Sequence, residues 1–253
     1  MVSRFMIIAV MTLVPILSAA APITAKEIVR RFDQQMRGRT STGEMSMTIV
    51  TPEWKRTMRM RFWESADDDK SFVRVLSPAK DRGTSSLKLG NNMWTYLPAI
   101  ERSMKIPPSM MQQGWMGSDF TNDDLVKSSS IVDDYVHAIT DTVTIDGMKA
   151  YVITLDPKEE AAVVWGRIVV YARDGDYLPL REEFYDEDSV LVRKMDFTGF
   201  QKMGGRIVPT VMTLVPLTED KKGHMTTMRY HSLRFNTKIR KSVFTRANLE
   251  RAR

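Results

Sequence analysis

Residues 44–62 read EMSMTIVTPEWKRTMRMRF and contain two runs in which apolar and polar side chains alternate. The first run is 44–49 and the second is 57–62, with Pro52 and Glu53 between them. A period of two places the apolar members on one face of a strand and the polar members on the other. The stretch therefore predicts two antiparallel strands with one face toward a core. The inward members are Met45, Met47, Ile49, Met58, Met60 and Phe62.

Runs with the same period continue to residue 235, separated by turn formers such as Asp146-Gly147 and Gly204-Gly205. Thr24 and Glu27 form a capping box at the start of a helix that Gly38 ends. We expect a mainly β (α+β) fold of about eleven strands. The strands would form an antiparallel sheet that is strongly curved or closed into a barrel, with helical pieces near its mouth. No linker interrupts residues 22–253, which predicts a single domain.

The first 21 residues predict a secretory signal. Arg4 is the basic residue, Phe5 to Leu17 is apolar, and Ser18 to Ala21 is a zone of small residues. The apolar run is shorter than the roughly 20 residues of a spanning helix, so cleavage is favoured over an uncleaved anchor. The chain has no cysteine, which excludes disulfides and lipidation on a cysteine. These features favour a bacterial periplasm. The net charge of +6 would favour peripheral contact with anionic lipid surfaces, and no nucleic-acid motif is present.

Residues 92–125, NMWTYLPAIERSMKIPPSMMQQGWMGSDFTNDDL, are unusually apolar for a segment broken by proline and glycine. Such a segment must pack either on the protein's own core or on a bound apolar ligand. Methionine suits irregular partners, and the chain has 19. Two interpretations stay open: the methionines fill gaps in the core, or they line a cavity that adapts to a ligand. The predicted cavity and lid residues are Met45, Met47, Met58, Met60, Phe62, Trp94, Tyr96, Met104, Met110, Met111, Trp115, Met116 and Phe120. Asp119 or Thr121 would cap a helical turn that pins the lid.

Motifs of catalysis are missing from the sequence. It has no zinc spacing around His137, His224 or His231, no nucleophile elbow and no phosphate-cradling glycine loop. Acidic pairs such as Glu182-Glu183 fit solvated charges. The alternating Lys55, Arg56, Arg59 and Arg61 fit either a solvated face or a docking stripe for an acidic partner. We therefore expect no catalytic residue, no metal and no cofactor.

Several motifs resemble the outer membrane lipoprotein-sorting group of the LolA-like (LolA/LolB) superfamily. They are Trp94-x-Tyr96-Leu97-Pro98, Arg102, Gly117-Ser118-Asp119-Phe120-Thr121-x-x-Asp124-Leu125, residues 178–186 (LPLREEFYD) and Val243-Phe244-Thr245. The resemblance implies an incomplete, strongly curved antiparallel barrel of about eleven strands whose mouth is covered by helices. It also implies transport of acyl chains and association with RND/MMPL-type inner-membrane transporters. A lid-latching arginine is implied too, for which Arg59, Arg61 and Arg102 are candidates.

Three functions follow as hypotheses. The first is a periplasmic carrier that shields acyl chains of lipoproteins or other lipids and moves them toward the outer membrane. The alternative is a non-catalytic accessory subunit of an RND/MMPL-type transporter, with its interior filled by its own side chains. A lipid or envelope hydrolase would need a serine and a histidine that meet only in the fold.

Overall fold

A computed structural model describes residues 23–126 and 130–251. The predicted signal, residues 1–21, lies outside the described residues. In this described part of the chain, thirteen strands form one sheet with the order β6-β5-β4-β3-β2-β1-β13-β12-β11-β10-β9-β8-β7. The strands are β1 Thr40–Val50, β2 Lys55–Ser65, β3 Lys70–Ser77, β4 Ser85–Leu89, β5 Asn92–Leu97, β6 Arg102–Lys105, β7 Tyr135–Ile145, β8 Met148–Pro157, β9 Arg167–Arg173, β10 Pro179–Tyr185, β11 Leu191–Met203, β12 Arg206–Pro216 and β13 Met225–Phe235.

Neighbouring strands are antiparallel throughout the described sheet. The predicted mainly β class is confirmed. The described residues form thirteen strands rather than about eleven. The sheet is open, with β6 and β7 at its edges. An open curved sheet, rather than a closed barrel, is therefore the architecture of the described chain.

The pairing of β1 with β2 follows the predicted alternation. Met45 lies opposite Met60, and Met47 lies opposite Met58. All four side chains are buried on the face that we call the inner face. The polar members of these strands point to the opposite, outer face, where Arg59 and Arg61 are exposed. The two faces of one hairpin thus separate a core from solvent, as a period of two requires.

Within residues 23–126 and 130–251, three α-helices accompany the sheet: α1 Ala25–Arg37, α2 Asn122–Val126 and α3 Arg246–Leu249. Thr24 is the N-cap of α1, and its hydroxyl accepts a hydrogen bond from the amide of Glu27. The helix buries Ile28, Val29 and Phe32 against strands β8 to β10. No helix in the described part of the chain is long and apolar enough to cross a membrane.

The connection between β6 and β7 has to join the two opposite edges of the sheet. Part of it, residues 107–126, passes over the inner face and is called the lid segment here. It contains 3₁₀ turns at Pro108–Met110 and Trp115–Gly117, followed by α2. The third helix, α3, lies elsewhere. Its Leu249 packs with Phe72 and Leu87 in a cluster on the outer face.

Candidate functional site

A cavity of about 350 Å³ lies on the inner face, between the sheet, α1 and the lid segment. This volume falls within the range of small-molecule pockets, roughly 300–1,000 Å³. Most of its wall is apolar. The apolar lining includes Phe32 and Met36 from α1, Trp115, Phe120 and Leu125 from the lid segment, and Met45, Phe62, Val73, Met93, Phe197, Met212, Leu214, Met228 and Leu233 from the sheet.

The structure brings part of the predicted set to this cavity. Met45 and Phe62 form the floor, and Trp115 and Phe120 come from the lid segment above it. Trp115 is 1% exposed, and its indole Nε1 donates a hydrogen bond of 3.0 Å to the Ser86 hydroxyl. A buried indole keeps a polar partner in this way, so Trp115 has a defined orientation over the cavity.

Other predicted methionines support the cavity without lining it. Met47, Met58 and Met60 have no exposed surface and belong to the same inner cluster as Met45. Met110, Met111 and Met116 of the lid segment are half-buried against that cluster. These methionines fill the space beneath and beside the lid segment. For them, the interpretation as core filler applies rather than the interpretation as cavity lining.

Trp94, Tyr96 and Met104 lie away from the cavity. Along β5 the inward residue is Met93, so the alternation turns Trp94 and Tyr96 to the outer face, where they pack with Phe244 near α3. Met104 lies on the edge strand β6 and is 41% exposed. A strict count of the period along β5 would have shown that Met93 and Trp94 cannot share a face.

Asp119 does not cap a helical turn of the lid segment. Its contacts join the lid segment to the sheet. The carboxylate of Asp119 accepts a hydrogen bond of 2.6 Å from the Thr226 hydroxyl, and that hydroxyl accepts one of 3.1 Å from the amide of Asp119. Thr226 is fully buried on β13. Asp119 therefore anchors the lid segment to a strand near the middle of the sheet.

Thr121 caps helix α2. Its hydroxyl accepts from the amide of Asp124, and the Asp124 carboxylate accepts from the amide of Thr121. This is a reciprocal capping box. The same carboxylate receives two hydrogen bonds, of 2.7 and 2.6 Å, from the guanidinium of Arg193 on β11. One aspartate thus ends the lid loop and joins it to the sheet.

Arg193 is a buried arginine that joins the lid segment to the sheet. Its side chain is 8% exposed, and its guanidinium lies 4.1 Å from the ring of Trp165 and 4.3 Å from that of Phe184. The three sequence candidates lie elsewhere. Arg59 and Arg61 pair with Glu44 on the outer face, and Arg102 is exposed on an edge strand. Sequence reasoning missed Arg193 because its partner Asp124 is 69 residues away.

The cavity also has a polar region, which the sequence did not predict. Glu182 on β10 lines the cavity and is 8% exposed. It belongs to an acidic pair that was expected to be solvated, but only Glu183 points away from the core. Burial raises the pKa of Glu182 to about 7, with Arg193 opposing the rise and Asp124 adding to it. Burial likewise raises the pKa of Asp33, another lining residue, to about 6.

The polar groups do not form a metal-binding cluster within residues 23–126 and 130–251. No group of three or more histidine, cysteine or acidic side chains could hold a metal there. His137 contacts the Ile131 carbonyl, and His224 faces Asp119 at 3.6 Å. His231 meets the hydroxyl of Ser46 at 3.0 Å on the exposed outer face.

Comparison with solved structures identifies the fold. A domain described as outer membrane lipoprotein-sorting, from Vibrio parahaemolyticus, has a TM-score of 0.77 at 23% identity, over 90% of this chain and 98% of that chain. A DUF1329 family protein from Desulfovibrio piger has a TM-score of 0.78 at 25% identity, over 89% and 97%. A LolA superfamily protein from Nitrosomonas europaea has a TM-score of 0.72 at 18% identity, over 90% and 100%. The resemblance to the LolA-like group is confirmed in the fold.

Sequence comparisons add the family. No functionally curated protein matches the chain. A family model whose description reads only "Uncharacterized protein" matches residues 67–251, which is most of the chain. The chain therefore belongs to that family, and its fold is the LolA-like fold.

Proposed function

We propose that this protein is a periplasmic carrier that holds the acyl chains of lipoproteins or other lipids in the inner-face cavity and moves them toward the outer membrane. The observation that carries the proposal is the cavity itself, an apolar space of about 350 Å³ beneath a lid that is joined to the sheet by a few polar contacts. No bond is made or broken in this function, so the absence of a catalytic motif from the sequence is compatible with it.

The walls suit a hydrocarbon guest in energy as well as in shape. Leaving a membrane costs about 0.8 kcal/mol for each methylene, or about 10 kcal/mol for a chain of roughly a dozen methylenes. A carrier has to replace most of that burial. Met45, Phe62 and Phe120 offer apolar surface, and the flexible methionines around them can adapt to chains of different shape.

The lid gives a route for loading. Three polar contacts hold it near the sheet: Arg193 with Asp124, Thr226 with Asp119, and Ser86 with the Trp115 indole. A lid that opens in a working cycle requires a closure worth only a few kcal/mol. Buried ion pairs meet this requirement, since their desolvation offsets much of their attraction. We infer that loading and release involve the opening of residues 107–126.

The place and partner of this function are part of the proposal. Residues 1–21 carry the features of a secretory signal, which supports a periplasmic location. A solved structure with the same fold is described as an outer membrane lipoprotein-sorting domain. An RND/MMPL-type inner-membrane transporter is proposed as the donor or acceptor, and the net charge of +6 favours peripheral contact with anionic membrane surfaces.

Lipid extraction and native mass spectrometry of protein purified from its own host test the carrier function. We expect co-purifying lipid in the wild type and its loss in Trp115→Asp, because a carboxylate would enter the apolar wall. Trp54→Asp is the matched control, since Trp54 is 45% exposed on a turn outside the cavity. Circular dichroism checks that the sheet stays folded. Equal lipid content in both variants would refute the site.

The accessory-subunit alternative is tested by filling the cavity. Val73 lines it from β3, so Val73→Trp should occupy the space without altering the outer face. A carrier would lose its lipid and its transfer activity in this variant. If a transporter complex forms and works normally with Val73→Trp, the accessory role is correct and the carrier role is not.

A further inference from the structure

Glu182 is the feature of the cavity that an acyl chain does not explain. It lies on β10 between Leu180 and Phe184, which are buried on the same face. The side chain of Glu182 lines the cavity. Within residues 23–126 and 130–251 no hydrogen bond joins its carboxyl group to another residue, and the side chain is 8% exposed. A polar group that faces an apolar cavity without a protein partner calls for an explanation such as a ligand or water.

The numbers of acidic and basic residues that line the cavity also suggest that a positively charged ligand group is missing. Acidic lining residues outnumber basic ones, in a chain whose net charge is +6. The acidic residues are Asp33, Glu64, Asp123, Asp124 and Glu182, and the basic residues are Arg37, Lys88 and Arg193.

The basic side chains already have acidic partners. Arg193 binds Asp124 and Arg37 binds Glu64, while Lys88 is paired with Asp69, which is not part of the lining; Asp123 also has a partner. Asp33 has only a long contact of 3.8 Å to the shared Arg37. Glu182 therefore has no salt bridge of its own, and Arg193, the positive charge that acts on it, is already bound to Asp124.

We propose that the cargo is an amphiphile with a cationic, hydrogen-bond-donating head group, of the primary ammonium class, which binds Glu182 inside the cavity while the hydrocarbon chain lies against the methionine and aromatic wall. This inference rests on the proposed carrier function. An ammonium group would supply both the positive charge and the donors that Glu182 and Asp33 lack.

The same geometry discriminates against anionic head groups. Above the pKa of about 7 that burial gives Glu182, a carboxylate or phosphate placed beside it would meet a negative charge in a region of low dielectric constant, and like charges repel strongly there. An uncharged hydroxyl group could donate one hydrogen bond but would leave the charge unbalanced. The expected order of affinity at equal chain length is therefore amine, then alcohol, then carboxylate.

Three probes with the same twelve-carbon chain test this order: dodecylamine, dodecanol and dodecanoate. They are titrated into the full chain, stripped of lipid, below their micelle concentrations, with isothermal calorimetry as the readout. Glu182→Gln keeps the shape of the side chain and removes its charge. We expect this variant to bind dodecylamine about 10- to 100-fold more weakly, the range of a charge-assisted hydrogen bond, and to bind dodecanol as the wild type does.

Glu183→Gln is the matched control because Glu183 accepts hydrogen bonds from Tyr171 and Tyr185 outside the cavity. It should bind all three probes like the wild type. If Glu182→Gln binds dodecylamine unchanged, or if dodecanoate binds the wild type as tightly as dodecylamine, then only water satisfies Glu182 and the head-group inference is wrong. If none of the probes binds the wild type, the carrier function itself fails, which is a distinct outcome.

Discussion

Replacing Glu182 by glutamine should make the stability of the protein less dependent on pH. Glu182 is buried, and this burial raises its pKa from the ordinary 4.5 to about 7. The folded protein therefore binds the proton more tightly than the unfolded chain does. The contribution of protonated Glu182 to stability is fully present below pH 4.5 and is lost as the pH rises through 7.

The size of the effect follows from the shift. Each pKa unit corresponds to about 1.4 kcal/mol, so the shift of Glu182 removes on the order of 3 kcal/mol between pH 4.5 and pH 8. Glutamine has no proton to lose. The free energy of unfolding of Glu182→Gln should thus exceed that of the wild type by a margin that grows to about 3 kcal/mol at pH 8 and is small at pH 4.5.

Urea denaturation at several pH values between 4.5 and 8, followed by tryptophan fluorescence on lipid-free protein, measures this margin. Glu183→Gln controls for the loss of one negative charge on the same strand, and its margin is subtracted. The wild type will show an additional dependence from Asp33, whose pKa is raised to about 6, but that contribution cancels in the comparison. A margin that is the same at pH 4.5 and pH 8 would refute the assigned burial of Glu182.

Two further predictions concern the lid and the sheet. Asp124→Asn keeps an acceptor for the helix cap but breaks the buried ion pair with Arg193, which should cost about 3–5 kcal/mol. Hydrogen exchange of the amides in residues 107–126 should therefore accelerate at least 100-fold. The control Asp196→Asn breaks a half-exposed ion pair and should leave this exchange rate unchanged. Gly43→Ala places a Cβ atom 2.0 Å from the Ser232 carbonyl oxygen and should lower the free energy of unfolding by about 1–3 kcal/mol in urea titrations; an unchanged midpoint would contradict this close approach.

The lid illustrates where sequence reasoning succeeds and where it stops. The apolar composition of residues 92–125 and the turn formers in it indicated a segment that covers something apolar, and Trp115 and Phe120 do face the cavity. Trp94 does not, although it looks equivalent in composition. The difference lies in strand parity, which the sequence contains but which a count of apolar residues overlooks.

The period of two along β10 places Glu182 on the buried face, because Leu180 and Phe184 are the apolar residues two positions before and after it. Arg193, in contrast, could not have been found from local patterns. Arg193 is one of many arginines, and its role depends on Asp124 and on the rings of Trp165 and Phe184. These contacts join strands and loops that are far apart in sequence, and no local preference encodes them.

The sequence by itself determined the antiparallel strands, the inward methionines and the capped first helix, because side-chain period, turn residues and caps act over a few neighbouring residues. Only the tertiary structure decided that β1 pairs with β13, that β6 and β7 become opposite edges, and that the chain between them covers the inner face. Those choices depend on the total burial achieved when distant segments meet, and they determine that the space beneath the lid contains a carboxyl group as well as hydrocarbon.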